Sequence, residues 1–502
     1  MSLYDTFIQK VREIKNLQSV NSLLEWDQET MMPPKGIEYR AAQLALISGI
    51  VHEKLTSDEL GELLDKLSSP SELDGLDELK RANIREIRRE FEKAKKLPTE
   101  LVKEIAETAS LSQNAWVKAR RESRFGDFSL WLTKMLKLKT QAARMIGYKE
   151  HIYDALLDDY EPGATVGKIK VILGDLKDGL VPLIREVLSS KVALDDSILH
   201  RDYDVSRQKE FGTKILQDMG FDFEAGRIDI SAHPFCTSFA PGDVRLTTRY
   251  GANDPKMALF GMIHEAGHGL YEQGLAPEHH HTPMADSISL GIHESQSRLW
   301  ENMIGRSRLF WQHYLPKARE TFPKSLSGVG LDDFYRAINR VTPSFIRVEA
   351  DELTYNIHIL IRFEIETGLF EGVIQVDDLP KIWNRKVEEY LGIVPPNDRE
   401  GVLQDIHWAL GLFGYFPTYT LGNLYAAQFL RRAEKDISDF WGKVSGGQFS
   451  DLKNWLNTNI HRHGRLYSAD DLVRRVTGET LNAKHFLGYL QNKFGELYRL
   501  SS

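Results

Sequence analysis

Asp243-Val244-Arg245-Leu246-Thr247-Thr248-Arg249-Tyr250-Gly251-Ala252-Asn253-Asp254-Pro255-Lys256-Met257-Ala258-Leu259-Phe260-Gly261-Met262-Ile263-His264-Glu265-Ala266-Gly267-His268 is where the period of this chain changes. Its first residues alternate as a strand does. Asp254 then suits a helix N-cap and Pro255 the first helical position, and a helix follows. Upstream, Arg227-Ile228-Asp229-Ile230 alternates too, and Pro241-Gly242 signals a turn. The spacing therefore predicts a small antiparallel sheet over 225–250. On both sides of it the chain reads as helix. Apolar residues recur three and four apart over 1–25, 38–67, 76–122, 127–160 and 166–190, with a turn-rich break at Trp26–Gly36. No repeat and no linker interrupts the pattern. The expected fold is mostly α: one large helical body carrying a small antiparallel sheet.

Composition narrows the function classes. Of 502 residues 42% are hydrophobic and 27% charged, an ordinary globular balance. Acidic residues outnumber basic ones, 72 to 64, and the net charge of −8 argues against nucleic acid as the main partner. The basic run from Lys80 to Lys96 is interleaved with Glu86, Glu90 and Glu92, so it reads as a solvated helix face. A single cysteine, Cys236, excludes an internal disulfide and a cysteine zinc cluster, and fits a reducing, cytoplasmic compartment. The start, Met1-Ser2-Leu3-Tyr4-Asp5, lacks the features of a secretion signal, and no run is apolar enough to span a bilayer. No membrane partner is expected.

The helix after Pro255 contains His264-Glu265-Ala266-Gly267-His268. Two histidines four residues apart lie about 40° apart on one helix face. That spacing lets both imidazoles meet one zinc ion, while Glu265, about 100° round, can reach a water on the open side. A catalytic zinc site needs a third protein ligand. Ile292-His293-Glu294-Ser295-Gln296 lies on a second helical pattern from about 285 to 308. An antiparallel return would bring Glu294 beside the first helix, completing a two-histidine, one-glutamate set. Arg298 stands four residues beyond Glu294, so the group that orients a ligand histidine must come from elsewhere. Glu301, about two turns along the same helix, is taken as a bystander carboxylate. The triplet His279-His280-His281 cannot converge on one ion from a regular element and reads as an exposed loop.

With these residues in place the chain resembles the thermostable carboxypeptidase (Taq-type) family of zinc metallocarboxypeptidases over essentially its whole length. The resemblance is carried by ordered motifs: His233-Pro234-Phe235, Asp243-Val244-Arg245-Leu246-Thr247, His264-Glu265-Ala266-Gly267-His268 and His293-Glu294-Ser295-Gln296. Ile346-Arg347-Val348-Glu349-Ala350-Asp351 and Gly401-Val402-Leu403-Gln404-Asp405-Ile406-His407-Trp408 follow. It implies a helical fold with a deep active-site groove, the small sheet on its rim, and a cytoplasmic homodimer. It further implies a single domain over 1–502, with an N-terminal helical region over about 1–125 and the zinc-site region over about 225–420. The implied activity is release of C-terminal residues from short peptides, with broad specificity and poor cleavage at proline.

Roles follow from the chemistry. Glu265 is the candidate general base. His407, Tyr415 and Tyr419, in a segment the resemblance places at the site, are candidate donors to the oxyanion. Arg347 is the first candidate for the substrate's terminal carboxylate, its alternative being a helical pair with Asp351. Arg245 and Thr247 stand on a strand whose edge can receive an extended peptide; Arg245 alternatively pairs with Asp243. The expected ion is zinc, with cobalt as a substitute; the sequence does not choose between them as the native ion. Two other readings compete: an oligoendopeptidase or dipeptide-releasing enzyme, and a helical peptide-binding scaffold with a vestigial site.

Overall fold

The computed structural model describes residues 2–231 and 233–500. The first helix, Leu3–Thr30, opens on a capping box in which Ser2 and Asp5 each bond the other's backbone N–H. It runs past the expected end, so Trp26 and Asp27 are helical and the break begins at Met31, just before Pro33 and Pro34. Three expected helices are divided, the one over 127–160 at Gly147, between Gly126–Ile146 and Asp154–Leu157. Ser57 caps a new helix, Asp58–Leu67, after Ile37–Leu55, and Pro98 separates Glu78–Lys96 from Thr99–Glu122. The N-terminal helices share a small core of Phe7, Val11, Leu64 and Ile87, while the main core runs from Ala119 to Tyr498. Ion pairs join the two. Lys15 on the first helix reaches Asp286 at 2.9 Å, and Arg465 reaches Glu90 at 2.9 Å. The basic face is paired as well: Arg88 with Asp65, Lys95 with Asp58, Arg89 and Lys93 with Asp158.

The sheet is three-stranded and mixed, not antiparallel throughout. It comprises β1 (Gly226–Ile230), β2 (Cys236–Ala240) and β3 (Asp243–Thr248), in the order β1-β3-β2. Pro241-Gly242 closes the antiparallel β2–β3 hairpin as expected, but β1 pairs parallel to β3, Arg227 opposite Arg245. Alternation tells which face a side chain takes and nothing of strand direction. Here β2 itself forms the connection that a parallel pair requires. As the central strand, β3 is hydrogen-bonded on both sides, so an extended peptide has no free edge along it.

The motif helix, Pro255–Gln273, begins as predicted: Asp254 accepts from Lys256 N at 3.1 Å, with Pro255 at the first position. It lies against the sheet, where Gly269 faces Leu246 and Phe221. The return helix, Leu290–Arg298, starts later than expected, since Pro283–Ala285 forms a separate 3-10 turn and Ser289 provides the cap. It continues as a π-helical stretch, Leu299–Ile304. A third helix, Pro417–Asp436, packs on the far side of the return helix.

Candidate metal centre and active site

Two close approaches bring the return helix between its neighbours. A Cβ on Gly267 would lie 2.6 Å from Ser297 Cα, and one on Gly422 would lie 2.5 Å from Glu294 Cγ. Only glycine lets the backbones come this near. Glu294 is thereby pressed toward the histidines: its Oε2 stands 3.8 Å from His264 Nε2 and 3.5 Å from His268 Nε2. One ligand atom from each of the three residues lies within 4.8 Å of the others. Tetrahedral zinc with bonds of about 2.0–2.1 Å separates its ligand atoms by roughly 3.3 Å, so the spacing suits such an ion with slight contraction.

The surrounding groups prepare this set. His264 Nδ1 donates to Glu301 Oε2 at 2.9 Å, which leaves Nε2 its lone pair for a metal. Glu301 is therefore not the bystander expected from the sequence. Seven residues after Glu294, it returns to the same helix face, and it is the histidine partner whose source was open. Arg298 lies between the two carboxylates, donating to Glu294 Oε1 at 2.7 Å and to Glu301 Oε2 at 3.4 Å. Burial opposes both negative charges, yet Arg298 and the imidazoles hold the Glu294 carboxyl far below the usual range. Glu301 is held low as well, against burial, by His264, Arg298 and Arg306. His268 is oriented differently. Its Nδ1 is buried without a hydrogen-bond partner among the described residues, and its ring stacks on His293, centroids 4.3 Å apart. His293 is fixed in turn by Glu272 at 2.9 Å. Burial lowers the His268 pKa to about 3, favouring the neutral ring that a ligand needs.

Glu265, 6% exposed, has its carboxyl pushed up to about 7, chiefly by burial. That value suits a group that takes and returns a proton near neutrality.

The loop preceding the third helix forms a second cluster. His407 packs on Tyr415 and Phe416, centroids 5.5 and 4.4 Å away, and Tyr415 packs on Tyr419 at 5.3 Å. Arg347 lies over Tyr419 and donates to Tyr355 Oη at 2.9 Å. Arg298 covers the other side of the link, over the Tyr355 ring. The three oxyanion candidates and Arg347 are thus one contact network, and Tyr355 connects it to Arg298 beside Glu294.

Arg347 does not pair with Asp351. Residues 347–349 form a 3-10 turn outside the following helix, Tyr355–Glu371, and Asp351 is occupied by Thr342, Leu353 and Thr354. Arg347 instead makes a bidentate pair with Asp405, at 3.0 and 3.1 Å. Arg362 binds the same carboxylate. Two guanidiniums face one carboxylate in a buried pocket, leaving an excess positive charge, and Arg347 keeps one free N–H on each terminal nitrogen.

The strand residues are engaged within the sheet. Arg245 pairs with Asp243 at 2.8 Å, between the Trp26 and Phe239 rings. Thr247 is fully buried; its hydroxyl joins Ser231 Oγ at 2.7 Å and accepts from Phe235 N at 2.8 Å. The structure brings neither to the metal cluster. Sequence reading named Arg298 and Glu301 without giving either a part in the site, and it missed Arg362 and the Glu272–His293 pair. Helical spacing from Glu294 could have found the first two.

Residues 6–494 match the family model described as carboxypeptidase Taq (M32) metallopeptidase. The chain is 44% identical to thermostable carboxypeptidase 1 of Thermus thermophilus, covering 99% of each. It is 41% identical to carboxypeptidase 1 of Bacillus subtilis, covering 98% of each. Among solved structures, the M32 carboxypeptidase of Deinococcus radiodurans superposes with a TM-score of 0.97 at 39% identity, over 100% of both chains.

Proposed function

Because the chain belongs to the carboxypeptidase Taq (M32) metallopeptidase family, and so is a metallocarboxypeptidase, we propose that it releases single C-terminal residues from short peptides, with broad specificity, using zinc held by His264, His268 and Glu294. The observation that carries this reading is the convergence of those three ligand atoms within 4.8 Å beside the buried carboxyl of Glu265. Bound zinc, or cobalt in its place, supplies Lewis acidity that polarises the scissile carbonyl and brings the pKa of a water toward about 7.

The chain's own groups do the rest. Glu265 takes the proton of the attacking water and delivers it to the leaving amine nitrogen. Burial keeps His407 neutral, with a pKa near 4, and raises the Tyr415 and Tyr419 hydroxyls, so all three can donate at neutral pH. They are our candidates for stabilising charge on the carbonyl oxygen. Arg347 binds the terminal carboxylate through its free N–H groups, and the uncompensated charge of the Arg347–Arg362–Asp405 cluster supports that role. This favours an exopeptidase over an oligoendopeptidase, which has no use for a cation beyond the cut. Arg245, between the Trp26 and Phe239 rings, and Thr247, bonded to Ser231 and Phe235, hold the sheet to its neighbouring segments. We also propose a cytoplasmic homodimer. The helix Ile37–Leu55 supports the association of two copies, with Leu46 64% and Tyr39 77% exposed. The described residues contain no helix long and apolar enough to cross a membrane.

A double-mutant cycle tests the carboxylate assignment. Amidating a good peptide should slow its hydrolysis by about 10²-fold or more. Arg347→Ala should slow the free acid strongly and the amide little. Additive effects would remove Arg347 from substrate binding.

A further inference from the structure

The stretch from Gly401 to Phe416 carries His407 and Tyr415 without forming a helix or strand. Something other than a backbone ladder must hold it. One turn apart on one face of the helix Tyr355–Glu371 stand Arg362 and Glu366, both essentially without solvent exposure. Arg362 grips the start of the loop, at Asp405 and at Gln404 Oε1. Glu366 grips it further on. Its Oε1 accepts from the Trp408 indole N–H at 2.7 Å, and its Oε2 accepts from Gly414 N at 3.0 Å and from the Tyr153 hydroxyl. Every one of these contacts is a donor to the carboxylate. Trp408 adjoins His407, and Gly414 adjoins Tyr415. A carboxylate is costly to bury unless it is fully hydrogen-bonded, and Glu366 meets that condition only with the loop in this position.

We propose that Glu366 is a positioning residue for the hydrolysis: by holding Trp408 and Gly414 together it fixes the loop that presents His407 and Tyr415 to the substrate. The inference rests on the reading above that these donors act in the reaction. Glu366 makes no hydrogen bond to a metal ligand among the described residues, so its effect falls on transition-state contacts and not on the ion.

The test uses the full chain loaded with zinc, in the variants Glu366→Gln, Trp408→Phe, His407→Ala and Tyr415→Phe. Turnover and KM on a free-acid peptide, zinc per chain, and hydrogen exchange over residues 404–416 are measured together. The amide of Gln opposes at least one of the three donors. Glu366→Gln should lower kcat by about 10²-fold, the cost of a misplacement of roughly 1 Å, with KM within about threefold. Zinc content should stay at the wild-type level, and exchange at Gly414 should quicken. Trp408→Phe, which keeps the carboxylate and removes one loop donor, should show the same split at smaller size, and it decides the matter if Glu366→Gln does not fold. Wild-type kcat in the folded variants, while His407→Ala and Tyr415→Phe lose activity, overturns the positioning role and leaves the donors standing. Full activity in both His407→Ala and Tyr415→Phe overturns the donor reading and the role of Glu366 with it.

Discussion

Glu301 is not one of the three candidate ligands, yet its bond to His264 Nδ1 leaves Nε2 turned toward Glu294. Replacing it with Gln should weaken zinc binding by about 10–100-fold, as loss of such partners does elsewhere. Glu294→Ala should weaken it further, because a ligand is removed. Chelator titration of both variants, with folding followed by circular dichroism, checks the order. Glu265→Gln should keep the ion and lose nearly all turnover, since Gln cannot accept the proton; activity and metal content on one preparation decide that. At this scale much of the site was legible. His264, Glu265, His268 and Glu294 follow helical spacing, and the structure gathers ligand atoms of the two histidines and Glu294 within 4.8 Å. Glu301 was set aside as a bystander because its two turns from Glu294 were read as distance, when seven residues return a side chain to the same helix face. The partner of Arg347 was hidden for another reason. Asp405 is distant in sequence, and nothing local announces it.

Helices place these side chains by approaching closely. Gly267 and Gly422 are the contact points, and the second admits Glu294 itself. Gly422→Ala would force the new methyl against Glu294 Cγ, costing about 1–3 kcal/mol of stability as overpacking does. Zinc affinity should fall with it. An Ala at Gly174, whose Cβ meets nothing within 4 Å, should leave zinc affinity unchanged, and thermal unfolding beside chelator titration separates the two. Most helices could be read from periodicity, but their ends could not. Ser57 and Pro98 interrupt apolar patterns that continue through them. The sheet was legible as strands and a hairpin, while the parallel pairing of β1 was not, because two-residue alternation is the same in either direction.

Across the whole molecule, buried charges tie distant segments together, and pH acts through them. Burial opposes the Asp405 charge, but Arg362 and Arg347 hold its carboxyl well below the ordinary range. Its folded pKa is thus lower than its unfolded value of about 3.9. The stability it contributes is complete above that value and is lost as pH falls below it, by about 1.4 kcal/mol per unit for a single group. Metal-free wild type should therefore unfold at a higher temperature than Asp405→Asn at pH 6, and the gap should close as pH falls from about 4 toward 2. Melting temperatures of the two chains across that range test this. A gap independent of pH would assign the loss to packing.

In the proposed reaction one ion and Glu265 cut a peptide bond one residue from a free carboxylate gripped by Arg347. Digestion of a mixed set of short peptides by the zinc-loaded chain, read by mass spectrometry over time, tests it most directly. The expected result is a ladder of products, each shorter by one C-terminal residue, from free-acid peptides, and almost none from their amides or with Glu265→Gln. Internal fragments, released dipeptides or equal cleavage of the amides would contradict it.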